Sequence, residues 1–185
     1  MGVLDDARRA LQRGFYRLFY KLNRLEFCGE LLPLVAEFEC GSEEWETPLA
    51  EWISSGLAIE DMRPPRSSKV WLYKHRGQIV GYGSLGKTRR PYPTATDPHR
   101  IVAIIPMVAI QSRFQGKPLR ASKQEKFSGQ ILYDLISEAR KLGLPDLILY
   151  VDPRNVKAKK LYHKWDFTML GRVRSGYEMM AMKLS

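Results

Sequence analysis

Two short, almost wholly apolar stretches in the second half of the chain, Ile101 to Ile110 and Leu147 to Val151, constrain the fold more than any other feature. Each reads as a buried central strand. Between them lie a polar, basic stretch, Gln111 to Lys126, and a segment from about Ser128 to Leu142 with Ile131, Leu132, Leu135, Ile136 and Ala139 on one helical face. Gly143 stops that helix and Pro145 lies just beyond it, the usual C-terminal punctuation. A short helix from Asn155 to Trp165 then leads into two closing strands, Phe167 to Val173 and Tyr177 to Leu184. Strand, loop, helix, strand, helix is an α/β unit that can place a ligand at the C-terminal ends of its strands.

Charge says what kind of ligand such a site would attract. Residues 63 to 185 hold 24 basic and 8 acidic residues, whereas residues 28 to 62 hold nine acids and no Lys or Arg. The C-terminal two-thirds therefore creates a positive field suited to anions, with phosphates the obvious candidates. Cys28 and Cys40 have no metal-ligand spacing and read as free thiols. No apolar run approaches the roughly 18 residues needed to span a bilayer, and the N-terminus lacks the order of a signal peptide, so a cytoplasmic protein is expected.

Upstream, Leu4, Ala7, Leu11, Phe15, Leu18, Leu22 and Leu25 recur at steps of three and four, predicting a basic amphipathic helix over 4–25. Its apolar stripe would pack on the domain or on a second copy, as in a homodimer; a membrane surface is the alternative. The expected organisation is a helical extension over 1–27 and one domain over 28–185. From Gly41 to Leu57 the chain reads as a capped helix with Ser42 as N-cap, which Pro48 would divide. Lys69 to Lys74 and Ile79 to Leu85 read as a hairpin around a turn at His75 to Gln78.

Two stretches carry a resemblance. LYVDPRNVKAKKLYHKWDF, Leu149 to Phe167, is similar to the pattern V-x-P-x-N-x-x-A-x-x-L-Y-x-x-x-G-F of the GNAT N-acetyltransferases. Val151, Pro153, Asn155, Ala158, Leu161, Tyr162 and Phe167 fall in register, and Asp166 replaces the usual glycine. MVAIQSRFQGKP (Met107 to Pro118) with the helix from Ser128 resembles the same superfamily's acetyl-CoA strand, pyrophosphate loop and following helix. The resemblance covers roughly 69–184 and implies an α/β fold with a mixed, mostly antiparallel central sheet flanked by helices, here with an N-terminal amphipathic helix.

It also implies roles for particular residues, with acetyl-CoA as cosubstrate. Val108, Ala109 and Ile110 would hold the pantetheine arm through their amides. Arg113, Phe114, Gln115, Gly116, Lys117, Lys126, Ser128 and Gly129 would form the pyrophosphate loop and helix N-terminus, where unpaired N–H groups meet an anion. Asn155, Ala158 and Tyr162 complete the coenzyme site, and Tyr162 would be the general acid for the leaving thiolate. The loop departs from the family pattern: Pro118 stands where glycine is usual, and about nine residues are inserted before Lys126.

The acceptor stays open. No acid occurs between Ile101 and Ile110, which favours amines needing little deprotonation. A primary amine of a small molecule, peptide or lysine suits the acidic early segment. The stretch FECGSEEWETPL from Phe38 resembles the F-x-C-G opening of GNAT toxins, which acetylate aminoacyl-tRNA and pair with a ribbon-helix-helix antitoxin. A module that binds an acyl-CoA or RNA without turnover is the third reading.

Overall fold

A computed structural model describes residues 22–57, 59, 62–63, 68–89, 101–119, 126–172 and 175–184. Eight strands among them form one sheet: β1 (Asn23–Glu26), β2 (Lys69–His75), β3 (Gln78–Arg89), β4 (Ile101–Ile105), β5 (Val108–Ile110), β6 (Asp146–Val151), β7 (Thr168–Arg172) and β8 (Glu178–Lys183). The order is β1-β2-β3-β4-β6-β8-β7, with β5 pairing β3. Only β4 and β6 run parallel, and every other pairing is antiparallel. The parallel pair is joined through α2 (Phe127–Arg140), while α3 (Val156–Lys164) follows β6, so the predicted α/β unit is present.

The β2–β3 hairpin turns at Arg76 and Gly77, both with positive φ (49° and 80°), the conformation of a tight two-residue turn whose twist matches the strands. Its strands run one and five residues longer than the sequence pattern predicts. On one face of the sheet, Ile131, Leu132 and Leu135 of α2 pack with Tyr162 and Trp165 against Tyr73, Ala103, Ile105, Leu147 and Leu149. On the other, Phe27, Val35, Phe38 and Ile53 cover Val70, Leu72, Tyr82 and Ala109.

Three expectations need correction. The helix over 4–25 does not extend through its last residues, because Asn23–Glu26 is a strand whose Leu25 pairs with Leu72. Arg24 anchors it, reaching Asp134 (2.9 Å) and Glu138 (3.0 Å) on α2 while stacking over Trp71. The earlier part of that helix, 1–21, lies outside the described residues. The helix read from Ser42 begins only at Thr47, as α1 (Thr47–Ser54). Pro48 sits in its first turn, where a missing N–H breaks no helical bond.

Ile101 to Ile110 is not one strand: β4 ends at Ile105, and β5 resumes after Pro106 and Met107. Gly86 faces Ile104, yet Gly83 faces Val108, so one extra residue is accommodated between the segments. Pro106 has no N–H to give a ladder, and a bulge there lets the chain leave β6 and follow β3.

Close packing of β5 rests on Gly81. A Cβ there would lie 2.5 Å from Ile131 Cδ1 and 2.8 Å from the Ala109 carbonyl oxygen. Gly81→Ala should therefore destabilise the fold by about 1–3 kcal/mol, read as a lower denaturation midpoint; an unchanged midpoint would mean that α2 and β5 are not pressed against this strand.

Candidate active site

The switch of β5 away from β6 opens a gap at the C-terminal end of the parallel pair. β4 accompanies β6 only as far as Ile105 opposite Leu149; beyond it, Tyr150 and Val151 pair with β8 on one side only. The Ser84 N–H donates to the Met107 carbonyl (2.9 Å) and the Gln111 N–H to the Val80 carbonyl (3.0 Å). Antiparallel pairs alternate between hydrogen-bonded and not, so Ala109 exchanges its bonds with Tyr82. Val108 and Ile110 turn their backbone groups the other way, toward the gap. Of the three amides expected to hold a ligand, register thus directs two outward and engages Ala109 in the sheet.

The loop after β5 is tightly wound. Phe114, Gln115 and Lys117 donate their N–H groups to Gln111, Ser112 and Phe114, and Gly116 has φ +68° with open space where a side chain would be, a conformation that favours glycine. Pro118 bridges Lys126 in antiparallel fashion, so the inserted segment leaves and returns at one point and the loop still abuts α2. Leu119 is buried in the main core; 120–125, including Lys123, lie outside the described residues.

Lys126 is the N-cap of α2, without a side-chain cap. Gly129 and Gln130 both donate to its carbonyl (3.1 and 3.2 Å), leaving the amides of Phe127 and Ser128 as the outward donors of the first turn. Phe127 is itself buried between His75 and Phe114, each edge-on to it at 5.2 and 5.3 Å. Arg113 stacks over Phe114 at 5.2 Å.

Within this loop the Gln115 side chain is engaged by the protein itself. Its amide donates to the carbonyls of Cys40 and Ile110, clamping the loop to the N-terminal layer, and the Ser112 N–H donates to the Glu39 carbonyl (2.7 Å). Across the gap, the Asn155 side chain accepts from the Ala158 N–H (3.0 Å) and caps α3, which joins these two predicted residues in one cap. Tyr162 lies two turns on, 7% exposed, its ring 5.8 Å from Phe167. Its hydroxyl has no hydrogen-bond partner among the described residues, and burial pushes its pKa upward. The phenol therefore keeps its proton at neutral pH and is suited to acid, not base, chemistry.

Sequence reasoning passed over Arg154. It pairs with Asp152 (2.9 Å) and Glu44 (2.6 Å) and stacks over Trp45 at 5.0 Å. Its position directly before the cap residue and two after Asp152 was visible; its partner Glu44, 110 positions away, was not.

No known family profile matches the sequence, and no curated protein matches it in sequence. Solved structures do match in shape. A bacterial toxin superposes with a TM-score of 0.66 at 13% identity over 90% of this chain and 92% of its own. The PaiA N-acetyltransferase of Thermoplasma acidophilum, solved with coenzyme A, gives 0.62 at 14% over 89% and 99%. A mutant of the toxin AtaT bound to the C-terminus of the antitoxin AtaR gives 0.57 at 15% over 89% and 93%. Among the described residues no helix is long and apolar enough to cross a membrane. With its split strand, parallel pair and open gap, the chain has the fold of the GNAT acetyltransferases and GNAT-type toxins.

Proposed function

We propose that this chain is an acetyl-CoA-dependent N-acetyltransferase that modifies a primary amine. The observation that carries the reading is the gap between β5 and β6, onto which Val108 and Ile110 turn their backbone groups. The residues around it fit a coenzyme: an extended edge for the amide-bearing arm, a left-handed glycine, and the uncapped start of α2 for the diphosphate. Arg113, Lys117 and Lys126 add positive charge. Bound there, acetyl-CoA supplies an activated acyl group. Val108 and Ile110 orient it through backbone hydrogen bonds, and Tyr162 holds a proton at its phenol oxygen for the departing sulfur.

Coenzyme A binding should weaken as salt rises, since exposed cations meet its phosphates. Calorimetry on the Arg113→Ala, Lys117→Ala double variant should show a weaker Kd, with turnover at saturation little changed. No binding of acetyl-CoA by the wild type at low salt would defeat the enzymatic reading and leave an RNA-binding module; binding without turnover of any amine would leave an acyl-CoA-binding one.

Acetylation of aminoacyl-tRNA is the second reading of the acceptor. It is favoured by the shape shared with toxins and by the F-x-C-G segment, whose Cys40 carbonyl holds the loop beyond β5. An α-amine of low pKa would suit a strand with no carboxylate. Under this reading the partners are tRNA and a ribbon-helix-helix antitoxin, and acetyl transfer to charged tRNA would fall steeply with salt.

A further inference from the structure

The segment from Glu39 to Glu46 touches both lips of the gap. On the β5 side, the Glu39 and Cys40 carbonyls accept from the Ser112 N–H and the Gln115 side chain. The segment closes on itself where the Cys40 thiol meets the Glu46 carbonyl (3.2 Å) and the Glu43 N–H donates to the Glu46 carboxylate (3.2 Å). On the β6 side, its outward residues Glu44 and Trp45 are both engaged by Arg154, in the connection between β6 and α3. Asp152 grips the same guanidinium through both carboxylate oxygens and also accepts from the Arg154 N–H (2.8 Å), so the arginine is already held in place when it meets the strap.

We propose that Arg154 is a positioning residue that holds the Glu39–Glu46 strap across the mouth between the ends of β5 and β6 and so sets access of the amine acceptor. A guanidinium can do this where an ammonium cannot: its planar fork pairs with two carboxylates while its face rests on an indole. The pair is exposed, Arg154 by 51% and Glu44 by 81% of their side chains, so the hold is weak by design of its location. An exposed ion pair and a cation–π contact together bias this end of the strap toward closure by roughly five- to twentyfold, while Ser112 and Gln115 hold its other end. The side of the gap that the strap covers lies opposite α2, whose first turn offers the donors assigned above to the coenzyme. Closure would therefore act on the acceptor and not on coenzyme entry, a consequence that rests on the proposed function, whereas the closure itself rests on the contacts alone.

Cys40 reports on the strap without any turnover. It is 3% exposed, and burial, aided by the nearby Glu46 carboxylate, pushes its thiol up to about 12; opening would expose it and return it toward about 8.5. In a Cys28→Ser background, which removes the exposed thiol, N-ethylmaleimide should modify Cys40 at least about fivefold faster in Arg154→Ala and about twofold faster in Glu44→Gln, with Arg154→Lys between Arg154→Ala and the parent. Glu44 is so exposed that its substitution cannot unfold the domain, which protects the test against misfolding of Arg154→Ala. Labelling rates equal to the parent in both variants overturn the proposal, as does full recovery by lysine. With spermidine and glycinamide as amine probes, the same variants should change KM for the amine by a similar factor while kcat at saturation and coenzyme A affinity hold. Faster labelling combined with an unchanged KM for every turned-over amine would overturn the role in acceptor access. If neither amine is turned over, only the proposed function fails, because the labelling arm stands independently.

Discussion

Tyr162→Phe should lower the rate of acetyl transfer by at least about tenfold while leaving coenzyme A affinity and the unfolding midpoint near those of the wild type. The ring packs against Phe167 within the main core, and phenylalanine preserves that packing. What is lost is a hydroxyl with no hydrogen-bond partner among the described residues, so no protein donor or acceptor is orphaned by its removal. A proton transfer made as the sulfur departs contributes to the transition state and not to ground-state binding. General-acid assistance is typically worth on the order of 10² to 10⁴ in rate, and water recovers part of it. The upward shift of the phenol by burial has a further consequence: loss of its proton occurs only at high pH, so no alkaline fall in wild-type rate below about pH 10 should trace to Tyr162. Single-turnover rates at saturating acetyl-CoA are the measurement. A Phe variant that transfers acetyl groups at the wild-type rate in a step limited by chemistry would reduce Tyr162 to a packing residue.

Features encoded by contiguous residues were legible, and those made by distant ones were not. The β2–β3 hairpin, α2 and α3 follow from local periodicity and punctuation, each to within a few residues at its ends. The motif from Val151 to Phe167 likewise brings Asn155, Ala158 and Tyr162 onto one helix and its cap. Uniform hydrophobicity concealed the break in Ile101 to Ile110, because an apolar run carries no period, although Pro106 was its one signal. Leu22 and Leu25 fit a helical stripe equally well, and only the offer of β2 as a partner makes a strand of Asn23–Glu26. Pro48 is ambiguous for a related reason, since it interrupts a helix interior but begins a helix without penalty. Gln115 and Arg154 lay inside recognisable motifs, yet their roles depend on carbonyls and carboxylates 75 and 110 positions away. A linear pattern marks such side chains as polar, but not which distant carbonyl or carboxylate each one meets.

Ser128→Asp should move stability and coenzyme binding in opposite directions, which separates the anion site from a merely basic surface. Ser128 is the second residue of α2, in a first turn that holds no acid and no side-chain cap. A carboxylate there faces the positive end of the helix dipole, and it should stabilise the fold by about 0.3–1 kcal/mol. The same charge would stand where the diphosphate is proposed to meet the Phe127 and Ser128 amides. Two unit charges about 5 Å apart repel by roughly 2–3 kcal/mol at an effective dielectric of about 20 to 40. Allowing for screening by salt, coenzyme A affinity should fall at least about tenfold. Ser128→Ala supplies the control, because the proposed donor is the backbone N–H and not the hydroxyl; its Kd should stay near the wild type. Denaturation and calorimetry on the two variants read both quantities. If Ser128→Asp raises the denaturation midpoint yet binds coenzyme A as the wild type does, the diphosphate does not lie at the start of α2, and the basic loop with its insertion serves another anion.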